Sequence, residues 1–255
     1  MQTSAVGSRI RGFEERFTKA QASGVVDLGW GYALVQSDYP ASWQHNQVVV
    51  TEPVDPEEVV AAADDVLAGY SHRLVQVIDD AQGAAAAAVF AAAGYQTHER
   101  IVTMAHSGVL PERGRGQVEA VAFDELRPSL LRDWRADYPE DTDEQIAQLT
   151  DRVLLCSLGA DVTFLAVRDE LGDVLARGEL YVADGVAQFE NVVTRPESRG
   201  RGLGRQLVTE ALHRSHDAGA DLWYLIAEAT GWPRAWYRRM GYRDIAQAHV
   251  FQRLL

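Results

Sequence analysis

Val192-Val193-Thr194-Arg195-Pro196-Glu197-Ser198-Arg199-Gly200-Arg201-Gly202-Leu203-Gly204 is the stretch on which the fold turns. An apolar, β-branched segment leads through a turn of glycines and arginines into Gly204–His216. There Leu207, Val208, Ala211, Leu212 and Ser215 recur at helical spacing. Strand, tight turn and helix N-terminus therefore follow one another. Glycines let backbone N–H groups approach a ligand with no Cβ in the way, and successive N–H groups form an anion nest. The helix macrodipole adds about half a positive charge at that end. With Arg199, Arg201 and Arg205 as extra cations, the stretch is a candidate pyrophosphate site. A plain strand-to-helix turn is the bland alternative, and it leaves the arginines unexplained. Two other phosphate motifs do not fit. A Walker loop ends in Gly-Lys-Ser/Thr, and a dinucleotide fingerprint is G-x-G-x-x-G, whereas Gly200, Gly202 and Gly204 are evenly spaced.

Working outward, strands are expected at Thr163–Arg168, Leu175–Val182, Ala187–Thr194 and Leu222–Ala227. Helices are expected at Leu126–Ala136, Asp143–Leu155 and Pro233–Arg239, with Gly241-Tyr242 opening a last strand. The same order precedes it: a helix near Gly12–Ala22, then strands at Tyr32–Gln36 and Gln47–Thr51. A helix from Pro56, a strand at Arg73–Ile78, an alanine-rich helix and a strand through Ile101–Met104 follow. An offset of 147 residues lays Gly94-Tyr95 on Gly241-Tyr242 and Phe90 on Tyr237, which indicates a tandem duplication. The expected class is α/β (α+β). The expected division is an N-terminal domain over residues 1–106, a linker over 107–117 and a C-terminal domain over 118–255. Pro111–Val118 echoes the glycine–arginine loop, but no helix follows it, so it is expected to be linker.

The 255 residues carry 24 basic against 37 acidic side chains, a formal charge of −13. That balance argues against general nucleic-acid binding. One cysteine, Cys156, excludes an internal disulfide and a cysteine-rich metal site, and no metal is expected. No apolar run reaches spanning length and no signal segment opens the chain, so a cytoplasmic protein with no membrane partner is expected.

Arg199-Gly200-Arg201-Gly202-Leu203-Gly204 resembles the acetyl-CoA pyrophosphate loop, R-x-x-G-x-G, of the GCN5-related N-acetyltransferases (GNAT). Ala235-Trp236-Tyr237-Arg238-Arg239-Met240-Gly241-Tyr242 is similar to that family's closing segment. The resemblance is strong from Thr163 onward and worn in the N-terminal half, as in tandem members. It implies two tandem GNAT domains with mixed, mostly antiparallel sheets flanked by helices. It further implies acetyl-CoA as co-substrate, held by Val192, Val193, Thr194, the residues Arg199 to Arg205, Thr230 and Tyr237. Thr230 is a departure, standing where the family often has asparagine.

The implied reaction is acetyl transfer to a primary amine of a small molecule in a direct ternary complex. A protonated amine needs a base before its nitrogen can attack. Strand alternation puts Gln188, Glu190, Val192 and Thr194 on one face, which makes Glu190 the candidate base; a solvated strand carboxylate is its alternative. A backbone N–H near Val193 or Thr194 would serve the oxyanion, and Tyr237 the leaving thiolate. In the N-terminal half, Thr51–Glu58 carries four carboxylates and no glycine, and Phe90 replaces the tyrosine, so one active site per chain is expected. The rivals are a silent acyl-CoA-binding module and an acyltransferase for longer chains. A monomer or homodimer is expected, and among the scattered histidines nothing selects one.

Overall fold

The computed structural model describes residues 2–114 and 118–255. In chain order the elements are α1 (Gln2–Ala20), β1 (Gly24–Asp27), β2 (Gly31–Val35), β3 (Gln47–Val50), α2 (Pro56–Val66), β4 (His72–Val77), α3 (Asp80–Ala92) and β5 (Thr97–His106). Then come β6 (Glu119–Val121), α4 (Phe123–Asp137), α5 (Asp143–Asp151), β7 (Asp161–Arg168), β8 (Val174–Ala183) and β9 (Val186–Thr194). The chain ends with α6 (Leu203–Asp217), β10 (Leu222–Glu228), α7 (Trp232–Arg239) and β11 (Tyr242–Leu254). All the expected strands and helices are present within a few residues. The first helix starts ten residues earlier than its apolar periodicity indicates, and the short strands β1 and β6 escape the pattern.

Two compact units form. The first contains the residues up to Phe17, Ala105–Leu225 and Gly241–Arg243; the second contains Thr18–Met104, Ile226–Met240 and Asp244–Leu255. These units are discontinuous, so they do not coincide with a division at residues 106 and 118. The physical reason lies in strand pairing: β11 lies antiparallel to β4, with His249 opposite Val77 and Leu254 opposite His72. The last strand of the chain thus completes the sheet of the N-terminal half.

In the second unit, β1, β2 and β3 are antiparallel, β3 and β4 run parallel, and β11 and β5 follow β4 in order. Its core packs Phe251 of β11 flat on Phe90 of α3, with ring centroids 4.2 Å apart, and Tyr95 edge-on to Phe90 at 4.9 Å. Phe90 is 1% exposed, which accounts for an apolar ring at that position.

The first unit orders its strands β6-β7-β8-β9-β10, antiparallel throughout except that β9 and β10 are parallel. Helix α6 joins that parallel pair and lies on β8 and β9. Its predicted stripe is the buried one: Leu207, Val208, Ala211 and Leu212 are at most 2% exposed. The two glycines aligned by the 147-residue offset have the same backbone conformation. Gly94 follows α3 and Gly241 follows α7, both at positive φ (85° and 96°), where a side chain would be strained and glycine is not.

Candidate active site

The glycine–arginine loop folds as its composition dictates. After β9, Pro196–Ser198 makes one 3₁₀ turn, held by the Ser198 N–H donating to the Arg195 carbonyl at 2.9 Å. Gly200 and Gly202 then adopt φ of 77° and 80°, and Gly202 is the left-handed N-cap of α6. No heavy atom lies within 4 Å of where a Cβ would sit on either glycine, so the space before the helix is open. The first helical bond is Gln206 N–H to Gly202 O at 3.1 Å, and the N–H groups ahead of it lack helical acceptors.

The electrostatics differ sharply between helices. α2, α3, α4 and α5 each begin with one or two carboxylates, which complement the dipole from within the chain. α6 has none in its first turn, and among the described residues Arg201 and Arg205 form no ion pair. Arg199 folds back so that its Nε donates to the Thr194 carbonyl at 3.2 Å. An uncompensated positive helix end flanked by exposed arginines remains, in a chain of net charge −13. Such an end can receive an anion.

The N-terminal counterpart is filled by its own sequence. Asp55 caps α2 by accepting from the Glu57 N–H at 3.1 Å, and Glu58 Oε1 accepts from Trp30 Nε1 at 2.8 Å. The echo of the loop in Pro111–Val118 includes Arg115, Gly116 and Gln117, which lie outside the described residues. Its Arg113 is paired with Glu210 at 3.1 Å and Asp217 at 3.3 Å.

The face of β9 requires a correction. Glu179 lies opposite Glu190 but Arg177 lies opposite Val193, so β9 carries one extra residue between these pairs. Asn191 absorbs it at φ 55°, a left-handed conformation that asparagine tolerates. Parity therefore changes: Glu190 shares its face with Gln188 and Val193, not with Val192 and Thr194. The left-handed Asn191 turns its amide back to donate to Glu179 Oε2 at 2.9 Å, and the Tyr181 hydroxyl donates to the same oxygen. Arg177 bridges Glu179 at 4.0 Å and Asp133 at 3.1 Å. Glu179, only 2% exposed, is thereby satisfied within the chain. Burial pushes the nearby Cys156 thiol up to about 12, helped by the Glu179 charge, so that thiol is no nucleophile at neutral pH.

Glu190 accepts from Gln188 Nε2 at 3.1 Å. It stands where the parallel ladder gives out, since β10 registers with β9 only from Leu222 against Val186 to Tyr224 against Gln188. The sequence holds no hint that Glu14 of α1 lies within electrostatic reach of Glu190. Burial first, and then the Glu190 charge, push the Glu14 carboxyl up to about 8, against a hydrogen bond from Tyr224 and the Arg11 charge. Tyr224 is pushed well above the usual phenol range by burial and by Glu14.

Tyr237 and Thr230 belong to the second unit. Tyr237 is buried on α7, its ring 4.8 Å from that of Trp236, while Thr230 is exposed just before the helix. The second unit also joins two of the scattered histidines. His98 Nε2 lies 2.7 Å from His249 Nδ1, and His249 Nε2 lies 2.9 Å from Asp80 Oδ1. Their separation along the chain, on β5, β11 and α3, hides this chain of hydrogen bonds from any local motif.

Residues 160–244 match the family model described as an acetyltransferase (GNAT) domain. A search among curated proteins gives no match. Among solved structures, a protein of Staphylococcus epidermidis described as functionally unknown superposes with TM-score 0.71 at 10% identity, covering 91% of this chain and 94% of its own. A GCN5-related N-acetyltransferase from Kribbella flavida gives TM-score 0.61 at 20% identity, over 98% and 94%. A tandem GNAT protein from the clavulanic acid biosynthesis pathway gives 0.56 at 14%, over 88% and 78%. Residues 160–244 thus match a GNAT acetyltransferase domain, whose class of chemistry is acyl transfer from an acyl-CoA, and the superposed structures share the fold of the chain. Among the described residues no helix is long and apolar enough to cross a membrane.

Proposed function

We propose that the first unit binds acetyl-CoA through the N-terminus of α6 and acetylates a primary amine of a small molecule. The observation that carries this is the open, acid-free start of α6, with Gly200 and Gly202 left-handed and Arg201 and Arg205 in no ion pair among the described residues. Such an end suits a pyrophosphate, whose oxygens accept backbone N–H groups and arginine donors. Val192, Val193 and Thr194 would line the pantetheine arm. When bound, the co-substrate supplies a thioester carbonyl for the amine to attack.

Glu190 is the proposed base, placed at the edge where β9 and β10 cease to pair. A backbone N–H at Val193 or Thr194 would donate to the developing oxyanion. The role of Tyr237 as acid for the leaving thiolate, and that of Thr230 as a cofactor contact, rest on the sequence motif. Both carboxylate capping of α2 and the buried Phe90 support a single acetyl-CoA site per chain, with the N-terminal half as scaffold.

Thiol release from acetyl-CoA, followed across a panel of primary amines, tests the assignment. At least one amine should raise release well above the rate without acceptor, with an acetylated product seen by mass spectrometry. Tight CoA binding with no amine-dependent release would instead indicate a silent binding module. Faster release from longer acyl-CoAs would reassign the donor.

A further inference from the structure

β9 is least supported just before the residues proposed to serve the oxyanion. On one edge, its parallel pairing with β10 ends at Gln188 against Tyr224. On the other, its ladder with β8 is interrupted between Glu190 against Glu179 and Val193 against Arg177. Among the described residues, Asn191 and Val192 therefore have no register partner on either neighbouring strand. A bulge of this kind bends the strand and leaves its extra residue unpaired, so something other than the ladder must fix the backbone there.

Side chains fix it from both faces of the sheet. On one face the Asn191 amide donates to Glu179 Oε2 at 2.9 Å, and the Tyr181 hydroxyl donates to the same oxygen. On the other, buried Phe189 lays its ring over Gly178, the β8 residue at the interruption, where a Cβ would collide with the ring's Cζ. Glu179 is the expensive member of this arrangement. A carboxylate 2% exposed in mid-strand has lost its hydration, and an apolar side chain would fill the place more favourably. Its counter-charges are Arg177 at 4.0 Å and the buried Arg152, and Arg177 already has Asp133 at 3.1 Å. What the carboxylate does that an apolar side chain would not is tether Asn191 at φ 55°.

We infer that Glu179 is a positioning residue for acetyl transfer: through Asn191 it holds the bulge of β9 and so aims the backbone N–H that serves the oxyanion. This rests on β9 supplying that donor, as proposed above. A slip of one residue reverses the face each side chain takes, and with it the edge toward which each N–H points. With the extra residue held, Val193 stands opposite Arg177 and shares the face of Glu190. With the bulge ironed out, Val192 would take that place and the Val193 N–H would point to the opposite edge. Glu179 touches neither substrate nor the transferred proton in this scheme. Its carboxylate acts on Asn191, and Asn191 on the backbone that follows.

Two single variants break the tether and a double variant restores it. Asn191→Gly keeps the left-handed backbone without strain but has no amide, and Asn191→Asp sets a carboxylate against the Glu179 carboxylate. Asn191 is exposed, so neither change disturbs the core. Adding Glu179→Gln to Asn191→Asp reverses the hydrogen bond, glutamine amide to aspartate, at the same net charge. Each single variant should lower kcat by roughly tenfold to 10²-fold, as expected for a misplaced oxyanion donor, with CoA affinity by calorimetry unchanged. Backbone NMR should show the Val192–Thr194 amides displaced in both, those of Gly200–Arg205 in place, and the double variant returning toward wild type in kcat and in shifts. A double variant no more active than Asn191→Asp would overturn the inference, as would Val192–Thr194 amides unmoved in both single variants. Displaced amides with kcat unchanged would mark a purely structural clamp and overturn it too. Wild type that acetylates no amine overturns the proposed function, and this inference with it, before any variant is made; an active wild type with an indifferent bulge overturns the inference alone.

Discussion

The double variant Arg199→Ala, Gly202→Val should bind CoA roughly 10²-fold or more weakly than the wild type. Charge-assisted hydrogen bonds contribute about 1.5–3 kcal/mol each, and tenfold in affinity corresponds to about 1.4 kcal/mol. Gly202 stands at φ 80° with open space in front of it. Valine there forces a β-branched residue into left-handed backbone or tilts the cap away, and either displaces the N–H groups of the first turn. Removing Arg199 takes away a cation and also frees the Thr194 carbonyl that it holds at 3.2 Å. A folded double variant with unchanged CoA affinity by calorimetry would sink the pyrophosphate assignment. Circular dichroism and thermal melting separate that outcome from misfolding, because the stripe of α6 on β8 and β9 is untouched.

Glu190→Gln should lower kcat by roughly 10²-fold at neutral pH, within the usual range for losing a general base. The amide keeps the shape of the side chain and an oxygen for Gln188 Nε2, so substrate affinity should change less than turnover. The deficit should shrink as pH rises, because a growing share of acceptor arrives deprotonated. A pH–rate profile that superimposes on the wild type would move the base to water or to another side chain.

The turn before α6 was legible in the sequence. Glycines at alternate positions before an amphipathic helix favour left-handed turns, and Gly200 and Gly202 adopt them, a local property. The face of Glu190 was not. The bulge is a single extra residue whose only trace is Asn191, and one residue is enough to reverse strand parity. Glu14 was invisible for a different reason: packing of α1 brings it within electrostatic reach of Glu190 across 176 positions, and Phe13, Glu14 and Phe17 read simply as an amphipathic helix. The discontinuity of the units was hidden in the same way. β11 is an ordinary alternating strand, and nothing in its sequence says that β4 will be its partner. Local rules located the loop, and tertiary pairing chose its neighbours.

Backbone amide NMR during a CoA titration tests the central claim most directly. The N–H signals of Gly200 through Arg205 should shift and saturate at one equivalent per chain, while those of Glu57 and Glu58 at the start of α2 stay in place. Saturation at two equivalents with shifts at α2, or binding that leaves the Gly200–Arg205 amides unmoved, would contradict it.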